Sequence, residues 1–157
     1  MQIRLETVYK SESQVLFRLL QYSLFEESAF DGNEMNEKAE FDYPEFDSYF
    51  TDSSRQAFFI RSAEQNTLLG FSMIKAQQGF CSIEEFMILP KYRRKGIGRC
   101  AAKRCFERHQ GVWSVTPSFN SEQAALFWKD VIKDCSVEIL EHDRTITFRN
   151  GSEHQSY

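Results

Sequence analysis

The sequence has little of what marks a membrane protein or a metal-binding protein. No stretch approaches the roughly 20 consecutive apolar residues that a bilayer-spanning helix requires, and no apolar run follows the first residues, MQIRLETVYK. The four cysteines include no Cys-x-x-Cys pair and have no histidine at metal-ligand spacing. We therefore expect buried thiols, no metal and a reducing, cytoplasmic location.

Internal repeats, low-complexity tracts and interdomain linkers are also missing, whereas aromatic residues are abundant. The 157 residues include 15 Phe, 6 Tyr and 2 Trp beside 27% charged residues. Disordered chains lack aromatics and membrane chains lack charges, so this composition is typical of a soluble globular protein. We expect one domain at residues 1–149 and a polar, flexible tail at 150–157.

The charges are segregated along the chain, although the net charge is only −4. Ten acids and one base lie in the acidic segment, residues 25–52. Eight bases and one acid lie between residues 91 and 108. A nucleic-acid-binding domain would be basic overall, so the pI of 5.5 and the acidic segment argue against such a partner.

Hydrophobic periodicity predicts a mixed α/β fold. A strand is predicted at residues 3–8 and a helix at about 12–27, after a capping box of Ser11 and Gln14. Residues 28–52 lack an apolar period and are predicted to form a loop with one short helix at 44–49. An antiparallel meander is predicted at residues 57–61, 68–76 and 80–89. A βαβ unit follows, with its helix at 97–105 and its second strand at 112–116. A further helix is predicted from residue 121, and a closing hairpin at 136–140 and 145–149.

The run most informative about function spans residues 83–99, which combine a strand, a basic turn, two glycines and a helix start. Unpaired N–H groups in the first turn of a helix carry partial positive charge, which suits a diphosphate. Gly96 and Gly98 have no Cβ, so a phosphate can approach closely. Four basic side chains would add charge there, namely Arg93, Arg94, Lys95 and Arg99. An ordinary solvated basic loop is the alternative.

Three phosphate-binding motifs compete for this run. A P-loop requires Gly-Lys-Ser/Thr, but the chain has Gly-Ile-Gly-Arg-Cys. A dinucleotide-binding fingerprint is formally met by Gly96, Gly98 and Ala101, but in that motif the strand runs directly into the first glycine, whereas six residues intervene here. The third motif, Arg-x-x-Gly-x-Gly, is met by Arg93 and the same two glycines.

With this motif, the strand-turn-helix element resembles that of the GNAT superfamily of N-acetyltransferases. In that family the element holds the pyrophosphate of acetyl-CoA, and the pantetheine arm lies along the preceding strand. A second family signature, Asn, then Ala, then two aromatic residues, is similar to Asn120, Ala124, Phe127 and Trp128, with Asn four positions before Ala instead of three. Phe127 also fits a simple core position. The resemblance implies an acetyl-CoA site at Met87, Ile88, Arg93, Arg94, Lys95, Gly96, Ile97, Gly98, Arg99, Asn120 and Trp128.

The resemblance also implies that an amine attacks the thioester directly in a ternary complex. A backbone N–H near Met87 or Ile88 would polarise the carbonyl, with Ile88 favoured. The attacking ammonium must first lose a proton, and Glu84 and Glu85 are the candidate bases. Unbroken strand alternation places them on opposite faces, so only one faces the cleft, and we favour Glu85. Both could instead merely solvate the strand or pair with a cation.

The family usually has a tyrosine where this chain has Trp128, and an indole N–H does not release a proton usefully. Water or another residue, such as Tyr92, would then protonate the thiolate, or no acid is needed. The acidic segment lies where the family shapes its acceptor site, and it would attract a cationic amine, although solvation alone also explains it.

Polyamines, aminoglycosides and lysine side chains all fit such a site. A non-catalytic module that binds acyl-CoA and reports it to a partner is the alternative function. No membrane partner is expected, and a homodimer is compatible with the resemblance.

Overall fold

The computed structural model describes residues 1–118, 120–136 and 138–150. Within them the chain forms one seven-stranded sheet and three α-helices. The strands are β1 (Ile3–Thr7), β2 (Arg55–Ser62), β3 (Leu68–Gln77), β4 (Phe80–Ile88), β5 (Gly111–Val115), β6 (Ile139–His142) and β7 (Thr145–Asn150). The helices are α1 (Ser13–Asp31), α2 (Ile97–Glu107) and α3 (Glu122–Cys135). Short 3-10 turns lie at Lys10–Glu12, Phe46–Phe50 and Pro90–Tyr92.

The strand order is β1-β2-β3-β4-β5-β7-β6, and every neighbouring pair is antiparallel except β4 and β5. A parallel pair needs a crossover, which α2 provides. The pairing of β4 with β5 runs only from Phe80↔Val112 to Ile83↔Val115. Beyond it the two strands separate and leave a gap beside the second half of β4. The predicted order of meander, βαβ unit, helix and hairpin is confirmed.

The sheet is covered on both faces. Phe58 of β2 packs with Phe106 and Trp113 in a core cluster that also contains residues of α2 and α3. The next residue, Phe59, packs with Leu16 of α1 in a second cluster. Because successive strand side chains point to opposite faces, α1 lies on one side of the sheet and α2 with α3 on the other.

A β-bulge interrupts β4 beside the gap. Met73 of β3 pairs with Glu85, whereas the next residue of β3 pairs with Ile83, so Glu84 is an extra residue. Before the bulge Ile83 packs in the cluster that contains α2 and α3, and after it Phe86 packs against the same cluster. The alternation of β4 is therefore shifted by one residue. Our prediction for Glu84 and Glu85 had assumed unbroken alternation.

Helix α1 is longer than the sequence pattern predicted. It continues to Asp31 because Gly32, with φ +74°, supplies a left-handed C-cap whose N–H donates to the Ser28 carbonyl at 3.3 Å. Residues 28–31 are thus helical, and their prediction as loop is wrong. At the other end, the predicted capping box of Ser11 and Gln14 is absent, because the 3-10 turn at Lys10–Glu12 precedes the helix.

The remaining boundaries differ from the predictions by a few residues. Strand β6 begins at Ile139 instead of residue 136, and β7 extends to Asn150. Residues 151–157 of the predicted flexible tail lie outside the described residues. None of the described helices has the length and apolarity needed to cross a bilayer.

Candidate active site

The gap between β4 and β5 opens into a cleft of about 900 Å³. Its floor is the end of β4, one wall is the second half of α1, and the other wall is the start of α3. The basic turn and the first turn of α2 close one end. Residues from all four parts line the cleft: Ser23, Glu26, Glu27, Phe30, Phe86, Met87, Ile88, Pro90, Arg93, Arg94, Gly96, Gly98, Arg99, Ser118, Ser121, Gln123, Ala124, Phe127, Trp128, Asp130 and Val131.

At the α2 end, which we call the cofactor end, two glycines leave the main chain accessible. Gly96 is the N-cap of α2 with φ +79°, and no atom lies within 4 Å of where its Cβ would stand. A Cβ on Gly98 would lie 3.3 Å from the ring of Phe127. The unpaired N–H groups of this first turn therefore border an open groove. Such a groove fits a diphosphate.

The basic side chains at the cofactor end differ in their partners. Arg99 forms ion pairs with Asp130, at 2.6 Å, and with Asp134 of α3. Arg94 lines the cleft, and no ion pair to it is found within the described residues. Lys95 is exposed and does not line the cleft. Ile97 is 3% exposed, so only its main chain can serve a ligand.

Arg93 is the most constrained of these cations. Its Nε donates to the Ile88 carbonyl at 2.7 Å, and its two Nη atoms donate to the Glu26 carboxylate at 2.9 and 2.7 Å. The guanidinium therefore joins the end of β4 to helix α1. Its Nε and both Nη atoms thus all have protein partners.

The peptide N–H of Ile88 faces the cleft. In an extended strand the N–H and C=O of one residue point to the same side, and the Ile88 carbonyl meets Arg93 on the cleft side. On the other side, the N–H of Leu89 donates to the Leu69 carbonyl of β3 at 2.8 Å. Strand β5 offers no partner at this level because its pairing ends at Ile83.

An aromatic cluster forms the wall near α3. The Trp128 ring is 7% exposed and meets the rings of Phe86 and Phe127 edge-on, at centroid distances of 5.1 and 4.9 Å. Phe127 is half-buried and lines the cleft, so it serves the core and the site together. Tyr92 lies in a different cavity, with the Lys91 ammonium 5.6 Å from its ring centroid. Tyr92 is therefore not placed to act as the general acid.

Asn120 and its neighbour Ser121 occupy different positions at the start of α3. Asn120 is exposed in a turn with φ +58° and does not line the cleft. Ser121 lines the cleft, and its hydroxyl accepts from the Ala124 N–H at 3.2 Å as the N-cap of α3. Ser121 also stands three residues before Ala124, which is the spacing that Asn120 lacks.

At the opposite end of the cleft, the acceptor end, carboxylates accumulate. Glu85 is half-buried on the α1 side of the sheet, beside Glu27 and behind the residues that line the cleft, and burial raises its pKa to about 8. The negative charges of Glu27, Glu84 and Asp31 raise this pKa further, and the Tyr43 hydroxyl opposes them as a hydrogen-bond donor. Glu85 is therefore largely protonated at neutral pH.

Glu27 is a site residue that the sequence did not single out. It lines the cleft, and the Ser118 hydroxyl donates to its carboxylate at 3.5 Å. Burial, followed by the charge of Asp31, raises its pKa above the usual range. The sequence does contain a signal for Glu27, because the stripe of α1 that faces the protein changes from apolar Leu16 and Leu20 to polar Ser23 and Glu27.

The other acids are arranged differently. Glu84 is exposed, and its carboxylate accepts from the Ser82 hydroxyl at 3.1 Å. In the acidic segment, the side chains of residues 34–39 are exposed and that of Glu40 is half-exposed, and none of them lines the cleft. Solvation therefore accounts for much of this segment, and only its α1 portion reaches the cleft. Among the described residues, no group of three His, Cys, Asp or Glu side chains is arranged to hold a metal.

Comparison with known proteins agrees with this geometry. The family model described as the acetyltransferase (GNAT) family matches residues 21–128. A search of curated proteins gave no significant match. Solved structures share the fold at low identity, beginning with a GNAT-family protein from Bacteroides thetaiotaomicron, at 16% identity and a TM-score of 0.65 over 98% of this chain and 91% of that one.

Two further neighbours were solved with ligands. A spermidine N-acetyltransferase from Vibrio cholerae, in complex with CoA and spermine, has 13% identity and a TM-score of 0.60 over 95% of this chain and 96% of that one. The PaiA N-acetyltransferase from Thermoplasma acidophilum, in complex with coenzyme A, has 12% identity and a TM-score of 0.60 over 95% and 99%. The family match covers more than two thirds of the sequence and includes the glycine turn, the bulged strand and the aromatic wall, and the chain belongs to the GNAT family of acetyltransferases.

Proposed function

We propose that the protein transfers the acetyl group of acetyl-CoA to a primary amine of a small molecule or peptide, by direct attack in a ternary complex. One observation carries this proposal: a single cleft joins an open helix N-terminus to the carboxylate of Glu27, and Glu27 lies close enough to the half-buried Glu85 for its charge to raise the pKa of Glu85. The neighbours solved with CoA, and with CoA and spermine, support the same pair of ligands.

Acetyl-CoA supplies the activated acetyl group, and the chain supplies its binding groove. The main chain around Gly96 and Gly98 binds the diphosphate, with the N–H of Ile97 among the donors. Arg94 lines the groove and adds positive charge at its entrance, while Lys95 and Arg99 contribute to the potential around it. The Met87 and Ile88 main chain borders the groove on the floor of the cleft. Trp128 and Phe127 exclude water from the opposite wall.

The N–H of Ile88 is the donor that polarises the thioester carbonyl. It faces the gap where β5 no longer pairs with β4. A preorganised donor at such a position typically contributes about 3 kcal/mol to transition-state stabilisation. The fixed main chain provides this donor without reorganisation when charge develops on the carbonyl oxygen.

Glu85 is the base. The proton released by the attacking ammonium passes through water to the Glu85 carboxylate, and the free amine then forms the new C–N bond as the C–S bond breaks and gives its second proton to solvent water. The departing thiolate takes its proton from solvent water, because no tyrosine lines the described part of the cleft. Glu27 holds negative charge beside the base and attracts the cationic acceptor.

Two measurements test this proposal. Calorimetric titration with CoA is expected to give a saturable binding heat. Thiol release is then followed with acetyl-CoA and a panel of spermidine, kanamycin and Nα-acetyl-lysine, and at least one amine is expected to accelerate it above the rate of hydrolysis. A protein that binds no CoA contradicts the proposal at the cofactor end, and binding without amine-dependent release contradicts it at the acceptor end.

A second function has one observation in its favour. Trp128 occupies the position of the usual tyrosine and is packed among rings, so it supplies no exchangeable acid to the cleft. A non-catalytic module that binds acyl-CoA as a sensor would need no such acid. This alternative predicts CoA binding, no thiol release with any amine, and no effect of Glu85 on the behaviour of the protein with acetyl-CoA.

A further inference from the structure

Arg93 connects three parts of the cleft through one side chain. Its Nε holds the carbonyl of Ile88 on β4, and its two Nη atoms hold both carboxylate oxygens of Glu26 on α1. Arg93 itself belongs to the turn that leads into the cofactor end. We call this set of three hydrogen bonds the clasp.

The residues that the clasp fixes are next to the reacting groups. Ile88 carries the N–H proposed to polarise the carbonyl, and its C=O is the acceptor of the Nε bond. Glu26 precedes Glu27, which lines the acceptor end. A fixed Glu26 therefore fixes the part of α1 that would face the bound amine. The planar guanidinium can make both contacts at once, which a lysine ammonium could not do in the same geometry.

The clasp is not explained by fold stability. The side chains of Arg93 and Glu26 are 39% and 44% exposed, and ion pairs with such exposure contribute little to the free energy of unfolding. The bond to Arg93 lowers the pKa of Glu26, so the carboxylate stays ionised and the pair persists at neutral pH. What the pair does provide is a defined distance between α1 and the end of β4.

We propose that Arg93 is a positioning residue that holds the acceptor wall of α1 in register with the Ile88 peptide, and that it is not a ligand of the cofactor diphosphate. This inference rests on the proposed function, because it assigns the two parts that are aligned. It replaces the role in cofactor binding that the Arg-x-x-Gly-x-Gly motif suggested for this side chain.

Two other roles make different predictions. If Arg93 bound the diphosphate, Arg93→Gln would weaken CoA binding and Glu26→Gln would not. If Glu26 attracted the amine directly, Glu26→Gln would raise the KM of the amine, whereas Arg93→Gln would free the carboxylate and lower it. The clasp requires that both substitutions have the same effect, because each breaks the same link.

The experiment compares Arg93→Gln, Glu26→Gln and the double variant with the unaltered full-length protein. For the amine that the panel identifies, we expect kcat to fall by about 10- to 100-fold in both single variants, since small misplacements of reacting groups have effects of this size. The double variant is expected to lose no more than either single variant. The Kd of CoA and the KM of acetyl-CoA are expected to change by less than about threefold.

Hydrogen exchange of the free protein gives a readout that does not depend on activity. Amides in residues 23–31 of α1 are expected to exchange faster, and equally so, in both single variants. Arg18→Gln and Glu34→Gln are the matched controls, because both side chains are exposed and lie outside the cleft lining. Neither control is expected to change kcat or exchange.

Unequal effects of Arg93→Gln and Glu26→Gln on kcat, on exchange or on CoA affinity would overturn the proposal, and so would an absence of any effect. A protein that releases no thiol with any amine contradicts the proposed function alone. The exchange comparison then still decides whether the clasp holds α1 to the end of β4.

Discussion

The two ends of the cleft are built in different ways. The cofactor end is formed by consecutive residues, 90–99, and offers mainly backbone N–H groups and glycines. The acceptor end is assembled from side chains of α1 and β4, which are distant in the sequence, and Tyr43, which follows α1, donates a hydrogen bond to Glu85 of β4. A main-chain site tolerates many side-chain changes but no bulk, whereas a side-chain site depends on single charges. Substitutions at the two ends should therefore have separable effects.

Glu85→Gln is expected to give the largest effect. Removal of a positioned base typically costs about 10²- to 10⁴-fold in rate, and CoA affinity should stay unchanged because the cofactor end is untouched. In the unaltered protein the rate should rise with pH toward a plateau above about pH 8, since only the ionised carboxylate accepts a proton. The variant should lose this rise. Steady-state rates from pH 6 to 9.5 provide the measurement.

Glu84→Gln is the comparison for this variant, because Glu84 is the exposed neighbour in the same bulge. We expect it to lose much less activity than Glu85→Gln. The opposite ranking of the two variants would transfer the role of base to Glu84.

Gly98→Val should act at the cofactor end alone. Even a Cβ at this position would stand 3.3 Å from the Phe127 ring, so a branched side chain fills the groove between them. Overpacking of this kind costs about 1–3 kcal/mol, and the same loss of binding free energy lowers CoA affinity by about 5- to 150-fold. Calorimetry measures the affinity. A variant that folds and binds CoA as tightly as the unaltered protein would show that this groove is not part of the cofactor site.

Glu27→Gln tests whether Glu27 and Glu85 are electrostatically coupled at the acceptor end. The negative charge of Glu27 raises the pKa of Glu85, so its removal should lower that pKa and shift the rise of the rate to lower pH. The KM of a cationic amine should increase as well. A pH profile that moves to higher pH, or does not move, would show that the two carboxylates are not coupled.

Gly96→Ala should have the smallest effect, and Gly79→Ala is its matched control. Both glycines have left-handed φ, at +79° and +69°, and no atom lies within 4 Å of where a Cβ would stand on either. Both variants should lose about 1–2 kcal/mol of stability from backbone strain. Only Gly96→Ala should weaken CoA binding, because only Gly96 borders the cleft. Equal CoA affinities in the two variants would mean that strain at the N-cap of α2 does not affect the cofactor.

Much of the fold follows from local sequence. Alternation and turn residues predicted the strands of the meander, and Ser121 before the apolar stripe of α3 predicted the start of that helix. The glycine turn likewise indicated the proposed cofactor end. The end of α1 was missed because Gly32 acts as a C-cap, while the charged residues before it do not show an apolar period.

The acceptor end was less predictable from the sequence. Glu85 was identified as a candidate from its position in a strand, but its raised pKa depends on Glu27, Asp31 and Tyr43, which are brought to it by the fold. The motif also suggested that Arg93 binds phosphate. Its guanidinium instead contacts Glu26, a residue 67 positions away, and no local pattern indicates such a partner.

By itself, the sequence determined where the proposed diphosphate site lies, because a helix start, two glycines and a basic turn are local features with a local physical effect. Only the tertiary structure decided that the Glu85 carboxylate is buried beside the cleft and that Arg93 is paired with Glu26. Burial and charge pairing depend on distances between elements that are far apart in the chain. The bulge in β4 illustrates the limit, since one extra residue, Glu84, changes which side chains face the cleft.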